Sequence, residues 1–177
     1  MKSTKIYCAL IVSLLSLCTL TLFAQKAAPL TDPEIASIAV TANQVDINYA
    51  EIAQKKSKDA SIIEFAQTMA KDHKGVIDQA VALVTKLGVT PKDNAVSKKL
   101  NADAEKTKKE LNAKTGKDFD KAYINNEVAY HKAVVSTVED VLIPQSQNAE
   151  LKGLLQQVLP VLKTHLDHAI MVQGKIK

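Results

Sequence analysis

The stretch "IIEFAQTMAKDHKGVIDQAVALVTKLG", residues 62 to 88, decides the fold class. Its apolar residues Ile62, Phe65, Ala66, Met69, Val76, Ala80, Leu83 and Leu87 recur every three or four positions, and His73 falls on the same stripe. That is the spacing of one face of a long helix, whereas a half-buried strand would alternate. Asp59 stands just ahead as a cap, and Gly88 is the left-handed stop with which such helices end. One helix is expected from residue 59 to 87.

The same reading extends in both directions. Upstream, "TDPEI" at 31 to 35 offers Thr31 as cap, Glu34 as the partner of a capping box and Pro33 in the first turn. The seam that follows is Ile35, Ile38, Ala42, Val45, Tyr49 and Ile52. Downstream, "AVSKKLNADAEKTKKELNAKTG" at 95 to 116 has a thin stripe of Val96, Leu100, Ala104, Thr107 and Leu111 among lysines, which predicts an outer helix. A fourth helix, capped by Asp118 and ending at Pro144, buries Tyr123, Ile124, Glu127, Val128, His131, Val134, Val135, Val138 and Leu142. The last starts near Asn148, carries Leu151, Leu155, Leu162, His165, Ala169 and Val172, and contains Pro160, where a kink is expected. Four long helices of matched length with one shorter crossover predict an all-α four-helix bundle. The short links make the first and second helices, and the fourth and fifth, antiparallel neighbours.

Residues 1 to 24, "MKSTKIYCALIVSLLSLCTLTLFA", place Lys2 and Lys5 before an apolar run that ends at a small residue. This is the pattern of a secretory signal peptide, so the chain is expected in the periplasm or outside the cell, with no transmembrane segment after cleavage. Residues 25 to 177 then form one domain. Cys8 and Cys18 both lie in the signal, leaving the exported chain no thiol for a disulfide or a nucleophile. Removing Lys2 and Lys5 from the 23 basic residues, all lysine, leaves 21 against 19 acids. With no Arg, no Trp and 4% aromatics, nothing in the chain points to a nucleic-acid partner.

Three segments carry a family resemblance: "FAQTMAKDHKG" at 65 to 75, "TGKDFDKAYINNEVAYHKAVV" at 115 to 135 and "LPVLKTHLDHA" at 159 to 169. Taken in order, they resemble the secreted bacterial proteins classed as domain of unknown function 4142, which look like members of the ferritin-like superfamily. The resemblance implies a ferritin-like bundle with a histidine on the second, fourth and fifth helices, here His73, His131 and His165. It also implies an acidic residue midway along the first helix, here Asp46. Family members usually place an Asp directly before the fourth-helix histidine, where this chain has Tyr130. No biochemical activity comes with the resemblance.

The residues themselves leave two readings of the histidines open. His73, His131 and Asp46 lie midway along their helices, with His165 somewhat past the midpoint of its own, so all four fall at similar depth. A thiol-free set of imidazoles, with Asp46 or Glu127 as an occasional fourth ligand, suits Zn²⁺ or Cu²⁺. Met69, Tyr49, Glu127 and His168 lie one turn away, within reach of a supporting role. The other reading makes each histidine an interior polar residue satisfied by a backbone carbonyl, a tyrosine hydroxyl or a carboxylate. Asp46 flanks Val45 off the seam, which favours a solvated carboxylate or a salt bridge to lysine.

Two functions follow: a metal-binding bundle of the bacterial envelope, or a structural bundle that self-associates or engages an envelope protein without metal. A ferritin-like oxidoreductase ranks behind both, because di-iron bundles use Glu-x-x-His pairs and none occurs here.

Overall fold

The computed structural model describes residues 28–176. The expected signal peptide, with Cys8 and Cys18, lies outside them. Among the described residues there is no strand, and no helix is long and apolar enough to cross a membrane. The chain forms α1 (Asp32–Lys56), α2 (Ala60–Lys86), α3 (Ala95–Asn112), α4 (Gly116–Thr137), a π-helical turn (Val138–Leu142), the single turn α5 (Ile143–Gln145) and α6 (Ala149–Lys175).

Side chains that satisfy orphan backbone groups set the helix ends. The Glu34 carboxylate accepts from the Thr31 backbone N–H at 3.0 Å and its hydroxyl at 2.7 Å. Asp59 accepts from the N–H of Ser61 and Ile62, and Asn148 from those of Glu150 and Leu151. Gly88, at φ 64°, takes the left-handed position after α2. The expected Asp118 cap is corrected: the cap lies three residues earlier, at Thr115, and Asp118 sits in the first turn where the helix dipole favours its charge.

The expected end at Pro144 is also revised. The helix passes through the proline to Gln145, because the π turn closes with the Ile143 N–H on the Val138 carbonyl. A proline ring crowds the carbonyl four residues back, here that of Asp140, and a locally wider turn makes room for it. Pro160, similarly, lies inside α6 without ending it.

Polar ties at the two ends show how the helices run. Buried Ser57, after α1, donates to Asp120 at the start of α4 at 2.6 Å, and Asp32 at the start of α1 accepts from the N–H of Gln147 and Asn148, both at 2.9 Å. So α1 and α4 are antiparallel. Lys86, ending α2, pairs with Glu150, opening α6, which makes those two antiparallel as well. Each helix of the four therefore opposes both its neighbours, while α2 and α4 run the same way, as the crossover through α3 requires. The outer helix α3 packs mainly along α1 through Ala104 and Leu111.

The core divides into two halves. One is aromatic, built on Phe65, Phe119 and Tyr123 with Met69, Ile62 and Leu111. The other is aliphatic, built on Ile35, Ile38, Val138, Leu142, Leu151 and Leu155. Phe65 is fully buried and sits edge-on to Tyr123, with ring centroids 6.2 Å apart. Phe65→Ala is expected to lower unfolding free energy by about 3–5 kcal/mol, read from urea denaturation; a loss under 1 kcal/mol would mean that the aromatic half does not hold the fold together.

Candidate metal centre

Between the two halves of the core lies a polar layer. His73 comes from α2, His131 and Glu127 from α4, His165 from α6 and Asp46 from α1, and all five are buried. The ring centroids of the three histidines are 5.1 to 5.6 Å apart, and each ring offers one nitrogen to a cluster whose members lie within 4.8 Å of one another.

In each ring one nitrogen is held from outside. His73 Nδ1 is 2.7 Å from Asn43 Oδ1, and the Asn43 amide nitrogen donates to the Ala39 carbonyl at 2.8 Å. That second bond orients the amide so that its oxygen faces the ring, and His73 Nδ1 must therefore be the donor. His131 Nδ1 is 3.0 Å from the Glu127 backbone carbonyl, which can only accept. His165 Nε2 is 3.1 Å from the carboxylate of Asp72, a residue that reaches the surface.

The other nitrogens, His73 Nε2, His131 Nε2 and His165 Nδ1, have no hydrogen-bond partner among the described residues. Lone pairs are left facing the interior. Asp46 Oδ2 stands 3.5 Å from His73 Nε2 and 3.6 Å from His131 Nε2, beyond hydrogen-bond length.

Burial sets the protonation of the layer. It pushes His73 well below its ordinary value, helped by its two imidazole neighbours, and brings His131 down to about 4. It lowers His165 too, against the opposing pull of Asp72. The same loss of water raises Asp46 to about 8 and Glu127 well above the carboxylate range, Glu127 further so because the Asp46 charge faces it. Asn126 eases the Glu127 charge, but burial and the facing Asp46 charge outweigh it, so a proton between the two carboxyls is what relieves their repulsion.

The sequence pattern of a family described as "Domain of unknown function (DUF4142)" matches residues 19–172. The chain belongs to this family. No curated protein and no solved structure is similar enough to match. The three histidines that the resemblance implied, His73, His131 and His165, meet in this layer. Tyr130 donates its hydroxyl to the Ala42 carbonyl at 2.8 Å and stands edge-on to the His131 ring.

Asp46 departs from its expected place. It is fully buried with no lysine beside it, because α1 is covered by α2, α3 and α4 together and so buries a second stripe, Asn43, Asp46, Ala50 and Ala53, beside the expected seam. Ala42 and Ile52, placed on that seam, are only half-buried. Of the residues one turn away, Met69 and Tyr49 belong to the aromatic core, and His168 packs against Phe65 with centroids 5.1 Å apart, outside the cluster. Asn43 and Asp72 went unmarked in the sequence. The spacing of Asn43 three residues before Asp46 was a signal for the first, and nothing local marks the second, since its partner is 93 residues away.

About a unit above the ordinary histidine value of 6.5 the three rings are neutral whether the chain is folded or not, so in metal-free protein the carboxyls govern pH dependence there. Folded Asp46 keeps its proton up to about pH 8 while the unfolded carboxyl has already lost it, and Glu127 acts in the same direction. The folded state thus binds more protons, and stability falls as pH rises from about 7.5 to 8, by up to about 1.4 kcal/mol per pH unit for each retained proton. Asp46→Asn is expected to flatten that slope. Urea unfolding of metal-free protein across this window measures it, and a parent profile already flat would mean that the carboxyls are ionised.

Proposed function

We propose that this chain is an exported helical bundle that holds one divalent transition-metal ion, Zn²⁺ or Cu²⁺, between His73, His131, His165 and Asp46. The observation that carries the reading is the convergence of three imidazoles, each fixed by an outer acceptor, with the lone pairs of His73 and His131 meeting one buried carboxylate oxygen of Asp46. Tetrahedral ligands at 2.0–2.1 Å from zinc stand about 3.3–3.4 Å from one another. The two His–Asp46 distances, 3.5 and 3.6 Å, are close to that edge. A proton shared between ring and carboxylate would instead draw them to about 2.7–2.9 Å.

The outer contacts support the same reading. Metal-binding histidines are commonly steadied through the second nitrogen by a carboxylate, amide or carbonyl, and Asp72, Asn43 and the Glu127 carbonyl are one of each. The donor set of nitrogen and oxygen without sulfur suits Zn²⁺ or Cu²⁺. When bound, the ion supplies the charge that lets Asp46 ionise, and Glu127 keeps the proton that the pair would otherwise share. Four protein ligands fill a tetrahedral ion, which favours holding or buffering a metal over hydrolytic chemistry. The N-terminal pattern of residues 1 to 24 supports placing this bundle in the periplasm or outside the cell.

Metal-stripped protein spanning residues 25 to 177, without a His tag, is expected to take up about one Zn²⁺ or Cu²⁺ per chain by elemental analysis. The His73→Ala/His131→Ala/His165→Ala variant should take up none, and the milder single His73→Gln should bind more weakly while remaining folded. Because Asp46 must release a proton to become a ligand, affinity should rise with pH up to about 8. No stoichiometric uptake by the parent would leave the layer as polar packing and favour the structural bundle with an envelope partner or a second copy.

A further inference from the structure

A cavity of about 260 Å³ occupies the aliphatic half of the bundle and ends at His73, His131 and Asn126. It exists because small residues face it where the helices meet: Ala36, Ala39 and Ala42 on α1, Ala80 on α2 and Ala104 on α3. Its walls are almost wholly apolar, with Leu142, Leu151, Leu155 and Val158 along one side. Its lining runs along α4 and the π turn from Asn126 to Leu142, so the space is long along the bundle axis. Exposed Val96 and Ala133 line it where α3 meets α4, which makes that junction its mouth.

The size is beyond a packing defect. An apolar cavity of about 150 Å³ lined by Leu, Ile and Phe takes up benzene. Cavities also cost stability roughly in proportion to their volume, and a single larger side chain in place of an alanine would shrink this one.

One polar atom within reach is unused. The Asn126 amide nitrogen is buried without a hydrogen-bond partner; its dipole eases the Glu127 charge, but it makes no bond of ordinary length. Asn126 also lines the cavity, and a buried amide donor without a bond of ordinary length can take a ligand oxygen there. The charged residue on the lining is Asp103, and the carboxyls of the polar layer lie just beyond the floor. Asp103 is paired with Lys99 and Lys106 and the two carboxyls keep their protons, so an anionic head would lose its water there with no cation on the lining to replace it.

We propose that this cavity binds a neutral aliphatic molecule of medium chain length, with the chain along the leucine wall and an uncharged oxygen, hydroxyl or carbonyl, accepting from Asn126. The proposal does not rest on the metal reading, since neither the walls nor Asn126 belongs to the ligand set. It does place the head of such a molecule against the rings of His73 and His131.

The test is titration of 1-octanol and of octanoate, followed by NMR, into the exported chain both metal-stripped and Zn²⁺-loaded. Saturable binding of 1-octanol is expected in both states, so failure of the metal reading leaves this result untouched. The cavity-filled variant Ala39→Leu/Ala80→Leu should weaken it by about tenfold or more, and Asn126→Leu by a smaller factor of about five. If the double variant does not fold, Val158→Phe serves as the filling change. Octanoate should bind more weakly than the alcohol. Absence of saturable 1-octanol binding, the same affinity in the filled variant, or tighter binding of octanoate would each overturn the proposal.

Discussion

The structure turns on the placement of two carboxyls and three imidazoles in one buried layer halfway along an apolar bundle. An unpartnered buried polar group costs about 1–3 kcal/mol, and several of them together rival the net stability of a whole domain. Such a layer survives only where its members satisfy one another or where something else satisfies them. Here the outward nitrogens are all bonded and the inward atoms are not. That one-sidedness separates this layer from a histidine network that merely completes itself.

The layer also divides the core, and its two sides differ in packing. Phe65, Phe119 and Tyr123 close one side with interlocking rings that touch at edge and face. Alanines on three helices leave space on the other. Rigid packing behind the histidines fixes their geometry, while the open side gives the centre an apolar approach. The π turn at Val138–Leu142 lies on the open side and carries Val138 and Leu142 into its wall.

The crossover helix does more than return the chain. Lying along α1, it covers the Tyr49 side of that helix, while Asn43 and Asp46 face α2 and α4, where His73 and His131 stand. Asn43 then fixes the tautomer of His73, thirty residues away on α2.

The amino-acid sequence by itself determined the helices, most of their ends and the three histidines, because period, capping and depth along a helix are local properties. Ile62 to Gly88 already specified a buried helical face, and Asp59, Asn148 and Gly88 marked its kind of boundary by chemistry confined to a few residues. Only the tertiary structure decided that Asp46 is buried, that Asp72 holds His165 and that alanines on separate helices add up to a cavity. Each of those depends on which faces meet across tens of residues. A residue's own neighbours in the chain set its face on a helix, but desolvation is set by what covers that face.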